Sequence, residues 1–267
     1  LHLIASLLPG GAERQMTYVS RGLAGDGFDV HVGYLEDGPN RVSLEAGGVA
    51  LHPVESRGSY DPRVPVRLRR LIQRVRPDLV QTWIPMVDVV GGLAALTTGT
   101  PWVLSERNTP DCFPDTAKFR VRRRLARRAH GIISNSRSGD AYWAARVPKT
   151  VHRFVIRNAV PPELFVPELP ASADEYGIDP SRPLVLYAGR LVEQKNVEVL
   201  LPALERVARA TEAVALVIGV GPQAAWVQRF IREHGLSQRI VAPGFSTSLW
   251  SWMRRAAVFV SVTRHEG

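Results

Sequence analysis

Two α/β domains, each a parallel sheet covered by helices on both faces, are predicted by three observations. Short apolar runs alternate with amphipathic segments along the 267 residues, the alternation breaks once in a proline-rich stretch, and it then restarts. Strands that alternate with helices of this length indicate βαβ units rather than hairpins. Two such domains facing one another would enclose a central cleft, a favoured place for a ligand.

In the first series the expected strands are Leu3–Leu7, Val30–Tyr34, Leu79–Trp83, Trp102–Ser105, Ile132–Asn135 and Phe154–Arg157. Between them, Ala12, Met16, Val19 and Leu23 share one helical face, and Leu68, Leu71, Ile72 and Val75 share another. Residues 159–183 carry six prolines, which fix φ and remove backbone donors, so this stretch reads as linker and turn. The expected division is a first domain over 1–160, a linker over 161–183 and a second, incomplete domain over 184–267. In the second series the expected strands are Leu184–Ala188, Ala215–Gly219, Ile240–Val241 and Val258–Val262. Helices are expected over Val197–Ala210, Trp226–Glu233 and Leu249–Arg255.

Hydrophobic content of 45% beside 22% charged residues suits a globular protein with a sizeable core. The single cysteine, Cys112, allows no disulfide within the chain and fits a reducing compartment, and no Cys/His set has zinc spacing. The longest uncharged apolar runs, Val89–Leu96 and Ala256–Val262, fall far short of the ~20 residues that cross a bilayer. Net charge is +9 and uneven. Residues 1–150 hold 21 Lys+Arg against 14 Asp+Glu, and residues 151–267 hold 13 against 11. A basic field of that kind draws phosphorylated substrates or anionic surfaces. The opening Leu1 in mid-strand and the closing His265-Glu266-Gly267 with no final helix both read as cut ends, so the chain is expected to be a fragment.

Three short stretches carry candidate chemistry. Leu8-Pro9-Gly10-Gly11-Ala12-Glu13 joins the first strand to the first helix. Two glycines allow close approach of the backbone to a ligand, and a helix start offers free N–H groups. Alone, this reads first as a plain strand-to-helix turn. Gly189-Arg190-Leu191, with Lys195 five residues after Arg190, lies where the second domain's first strand ends, the end at which open α/β sheets bind ligands. Two cations in one loop can grip a diphosphate and stabilise the charge that builds on it as it leaves a sugar. In Ser261 to Gly267, Glu266 follows a buried strand and could accept hydrogen bonds from sugar hydroxyls.

The ordered set resembles glycosyltransferase family 4: Gly10-Gly11-Ala12-Glu13, Gly189-Arg190-Leu191 with Lys195, Leu216-Val217-Ile218-Gly219-Val220-Gly221-Pro222, and Ser261 with Glu266-Gly267. Ile132-Ile133-Ser134-Asn135-Ser136 and Val155-Ile156-Arg157-Asn158 are similar to stretches that close the family's first domain. The resemblance covers the whole chain. It implies the GT-B fold, a nucleotide-diphosphate sugar as donor, transfer with retention at the anomeric carbon, and no metal or other cofactor; the sequence holds no Asp-x-Asp pair. It implies that Arg190 and Lys195 bind the donor diphosphate and that Glu266 is the first glutamate of the family's E-x7-E motif, touching the donor sugar. It implies that Gly10, Gly11 and Gly189 bring backbone close to the donor. The second glutamate would fall seven residues past Gly267, so the fragment is expected to be inactive. Many relatives carry a His near the acceptor; here the stretch reads Ser105-Glu106-Arg107-Asn108, which resembles a subgroup acting on lipid-linked or polysaccharide glycans.

Residues 118–128 hold seven cations, and Val121, Leu125 and Ala129 form an apolar stripe among them. That suits either a solvated helix or one lying on anionic lipid headgroups, so a cytoplasmic enzyme peripheral to the inner face of the membrane is expected. Nucleic acid is not an expected partner, because no groove-reading or base-stacking motif accompanies the charge. Two rival readings stay open: a sugar-nucleotide epimerase on the same architecture, and a non-enzymatic basic module that binds membrane.

Overall fold

The computed structural model describes residues 1–58, 61–108, 115–160, 176–246 and 248–264. The chain forms two compact units, Leu1–Val160 and Pro161–Glu266.

The first unit runs β1 (His2–Ser6), α1 (Gly11–Gly25), β2 (His31–Glu36), α2 (Asn40–Ala46), β3 (Ala50–Pro53), α3 (Val64–Val75) and β4 (Val80–Trp83). It continues through α4 (Pro85–Thr98), β5 (Trp102–Glu106), α5 (Ala117–Ala126), β6 (Gly131–Ser134), α6 (Arg137–Ala144) and β7 (His152–Val155). The seven strands are parallel in the order β3-β2-β1-β4-β5-β6-β7. Successive side chains of a strand face opposite ways, so Leu3 enters the core with Leu68, Val87 and Trp102 while Ile4 enters the one with Met16, Val32 and Trp83. The apolar run Val89–Leu96 lies within α4, a helix pressed onto the sheet. A Cβ on Gly92 would reach within 2.5 Å of the Trp102 ring, so glycine there permits the close approach.

The second unit runs β8 (Leu184–Ala188), a single 3-10 turn (Glu193–Lys195), α7 (Val197–Ala210), β9 (Val214–Ile218), α8 (Ala224–Glu233), β10 (Ile240–Gly244), α9 (Leu249–Arg255) and β11 (Val258–Phe259). Its parallel strands order as β10-β9-β8-β11. Leu184 and Leu186 pack with Leu216 and Trp252, whereas Val185 and Tyr187 pack with α7 and α8.

Besides β3, which was not expected, and the strand expected over Phe154–Arg157, which lies at His152–Val155, four local expectations differ from the structure. Residues 176–183, expected in the linker, are built into the second unit: Ile178 is buried beside Trp252, and Tyr176 stacks on that ring. The last strand pairs only over Val258–Phe259, although Val260 and Val262 pack partly into the core beyond it. In α1 the buried residues are Gln15, Met16, Thr17 and Ser20, while Val19 is exposed. The reason is polar, because the Gln15 amide bonds both the N–H and the carbonyl of Ala159. In α5 the buried residues are Phe119, Arg122 and Ala126; of the expected stripe Val121 is exposed, while Leu125 packs partly against the core and Ala129, just past the helix, is buried in it.

Candidate active site

Strand order reverses beside the first strand of each sheet, between β1 and β4 and between β8 and β11. Such switch points leave a crevice at the carboxyl ends of parallel strands.

In the second unit, Gly189 and Arg190 leave the end of β8, and the 3-10 turn ends on Lys195. Backbone bonds fix this loop: Gly189 N–H to the Ile218 carbonyl at 3.0 Å, Leu191 N–H to Val220 at 2.8 Å, and Gln223 N–H to Leu191 at 3.1 Å. A Cβ on Gly219 would overlap the Gly189 carbonyl, so the loops after β8 and β9 can lie this close only with glycine between them. The chain after β11 returns to the same loop. Arg264 N–H donates to the Gln194 carbonyl at 3.0 Å, the Thr263 hydroxyl donates to it at 3.1 Å, and Arg264 Nη1 meets Glu193 Oε1 at 2.9 Å. Arg190 is exposed, with Nη2 3.5 Å from Gln194 Oε1, and Lys195 is half-buried. Glu266 lies outside the described residues. Arg264, two positions before it, lies against the loop that carries both cations.

In the first unit, Gly10 caps α1 in extended backbone and Gly11 opens the helix. Neither has a φ that requires glycine. A Cβ on Gly11 would meet nothing within 4 Å, so neither conformation nor internal packing explains that glycine. The Glu13 carboxylate folds over Gly10, 3.4 Å from the Ser6 hydroxyl, at the positive end of the helix.

The Ser105-Glu106-Arg107-Asn108 stretch divides its work. Glu106 is fully buried and saturated: Oε1 accepts from the N–H groups of Arg107 and Asn108, and Oε2 from Arg122 Nη1 and Trp143 Nε1, all at 2.9–3.0 Å. Arg122 also donates from Nε to Asp88 Oδ2 at 2.8 Å, and Thr82 donates to Asp88 Oδ1 at 2.6 Å. Burial raises the Asp88 carboxyl to about 6 against the opposing pull of Arg122. Arg122 is therefore a structural cation closed to lipid. Of the seven cations of 118–128, Arg120 and Arg123 pair with Asp115, and Lys118, Arg124, Arg127 and Arg128 are exposed. No helix among the described residues is long and apolar enough to cross a membrane.

Arg107 turns the other way, onto the face of Trp83 at the end of β4, with its guanidinium carbon 4.3 Å from the ring centre. The sequence showed it only as a member of the Ser105-Glu106-Arg107-Asn108 stretch, not as a cation standing on an aromatic ring. A hollow of about 510 Å³, lined in part by Arg76, Asp78, Thr98 and Pro101, lies at the opposite edge of this sheet, where strands begin. Its position argues against a role in chemistry centred on the strand ends.

Residues 9–164 match the family described as Glycosyltransferase Family 4, and residues 182–267 match Glycosyl transferases group 1. A segment of 73 residues is 34% identical to the alpha-D-kanosaminyltransferase of Streptomyces kanamyceticus; it makes up 27% of this chain and 19% of that enzyme's length. Among solved structures, Anabaena HepE in complex with UDP and glucose superposes with a TM-score of 0.81 at 20% identity, covering 98% of this chain and 74% of HepE. Sucrose-phosphate synthase of Thermosynechococcus elongatus gives 0.77 at 18% identity, covering 99% and 76%. These likenesses establish the two-domain, Rossmann-like GT-B fold, and the match over residues 9–164 establishes that the chain belongs to glycosyltransferase family 4.

Proposed function

We propose that the protein moves a sugar from a nucleotide diphosphate to an acceptor with retention at the anomeric carbon. The observation that carries this reading is the loop after β8. Arg190 and Lys195 stand at a sheet's switch point, and the chain leading to Glu266 is hydrogen-bonded to that same loop through Thr263 and Arg264. Arg190 and Lys195 grip the donor diphosphate and stabilise its growing negative charge as the glycosidic bond to phosphate breaks. The departing diphosphate accepts the acceptor's hydroxyl proton on the face where the new bond forms, so no metal or second base is needed. Glu266 holds hydroxyls of the donor sugar. Because the Glu13 carboxylate already meets the positive end of α1, Gly11 faces the transferred sugar in preference to the phosphates.

The HepE structures hold UDP, glucose or UDP-glucose, which makes UDP-sugars the first donors to try. The acceptor is a glycan or lipid-linked glycan, and the protein works in the cytoplasm against the membrane face. Calorimetric titration with UDP-sugars tests the donor site. Arg190→Ala and Lys195→Ala should each cost about 1.5–3 kcal/mol of binding, the usual worth of a charge-assisted bond. Equal affinity in the wild type and both variants would remove the assignment.

A further inference from the structure

Arg107 follows β5 and stacks on Trp83, which ends β4 beside the switch point of the first sheet, and no carboxylate among the described residues forms an ion pair with it. Its Nη1 donates to a neutral group, Asn158 Oδ1, at 3.1 Å, and its buried Nε has no hydrogen-bond partner among the described residues. The adjacent Glu106 has both oxygens committed to Arg122, Trp143 and two backbone N–H groups. Burial accordingly lowers the Arg107 pKa to about 10, with only the field of Glu106 opposing the shift. The setting is built, not incidental. Trp83, beneath the guanidinium, is itself fully buried and donates from Nε1 to His2 Nδ1 at 3.2 Å. Asn158 is held from behind, since both backbone groups of Ala159 bond to the Gln15 amide. Ile84, next to Trp83, has φ 70° and ψ 145°, a region a β-branched residue enters only when its surroundings impose it, and such strain clusters at ligand sites.

A largely desolvated guanidinium beside the strand ends, stacked on an aromatic ring and bonded to a neutral amide, is ready for an anion, because its planar fork matches phosphate and carboxylate. We propose that Arg107, standing on Trp83 and steadied by Asn158, recognises a phosphate or carboxylate on the acceptor, so that the acceptor is an anionic molecule. This rests on the glycosyl-transfer reading above and adds the acceptor's chemical class to it.

The test is calorimetric titration of the chain carrying Arg190→Ala and Lys195→Ala, which removes the donor-site cations, with glucose 1-phosphate and separately with glucuronate. One or both should bind saturably. Preference for the first assigns a phosphate, and preference for the second a carboxylate. Added Arg107→Gln should weaken binding at least tenfold. Added Asn158→Asp sets a carboxylate beside the guanidinium; it should abolish anion binding while keeping or raising the melting temperature, a pair of effects that a purely structural Arg107 would not produce. Absence of binding to both anions in this background, or equal binding after Arg107→Gln or Asn158→Asp, overturns the proposal. Failure of the transfer reading shows separately, as absence of UDP-sugar binding by the chain with Arg190 and Lys195 intact.

Discussion

Arg122 donates from Nη1 to Oε2 of Glu106 across 2.9 Å, and neither side chain reaches solvent. The same guanidinium bonds Asp88 on α4, so one cation joins α5, α4 and the end of β5. A buried ion pair adds little net stability over apolar packing, but removing one partner strands the others. Arg122→Gln would leave two buried carboxylates facing each other. It should destabilise the protein by about 3–5 kcal/mol in urea unfolding, whereas the exposed Arg124→Gln should stay within about 0.5 kcal/mol. Similar midpoints for the two variants would contradict the network.

Asp88 gives this network a pH signature. Its native pKa of about 6 lies above the ordinary aspartate value of 3.8. Between those values the native state holds a proton that the unfolded state has released. The resulting stabilisation is fully present below 3.8 and is lost as pH rises through about 6. Wild type should therefore gain stability relative to Asp88→Asn as pH falls from 7 to 4, in unfolding free energies measured at each pH. A difference independent of pH would mean that Asp88 does not titrate in this window.

Most strands were legible because each is an apolar run short enough for one crossing of a sheet; β3 was not, because His52 and Pro53 interrupt its run, and Arg190 and Lys195 were legible because a strand visibly ends before them. Arg122 was not. A cation inside a run of cations reads as solvated, and the partners that make its burial tolerable lie 34 and 16 residues away in sequence. The bonding of Thr263 and Arg264 to the loop after β8 was hidden for a similar reason. β11 comes last in the chain yet pairs with β8, the unit's first strand. The motif order matched the family without showing which residues of the first unit stand on one another, so Arg107 over Trp83 went unread.

Two glycines should respond in opposite ways. Gly219→Ala places a methyl group against the Gly189 carbonyl, which is backbone and cannot swing aside. It should lower both the melting temperature and UDP-sugar affinity, because the loop that carries Arg190 must shift. Gly11→Ala meets open space and a helical backbone, so it should leave stability unchanged or raise it by up to about 1 kcal/mol. Its cost should appear only as weaker sugar-nucleotide binding. A fall in melting temperature for Gly11→Ala would give this glycine a structural role instead.

Burial of Arg122 also narrows how α5 could touch a membrane. Arg120 and Arg123 spend part of their charge on Asp115, which leaves Lys118, Arg124, Arg127 and Arg128 exposed around the half-exposed Val121. Each cation held near an anionic leaflet is worth about 1 kcal/mol at most, and salt screens it beyond a Debye length of ~8 Å at physiological strength. Replacing those four by Gln, with Arg122 kept, should reduce co-sedimentation with phosphatidylserine vesicles by two orders of magnitude or more at low salt. The melting temperature should hardly move, because none of the four is buried. The wild-type interaction should weaken steeply between 50 and 300 mM salt, roughly tracking the shrinking Debye length. Neutral vesicles should bind neither form. If the fourfold variant sediments with anionic vesicles as well as wild type does, α5 is a solvated helix whose charge serves no surface, and the basic field of the first unit needs another partner.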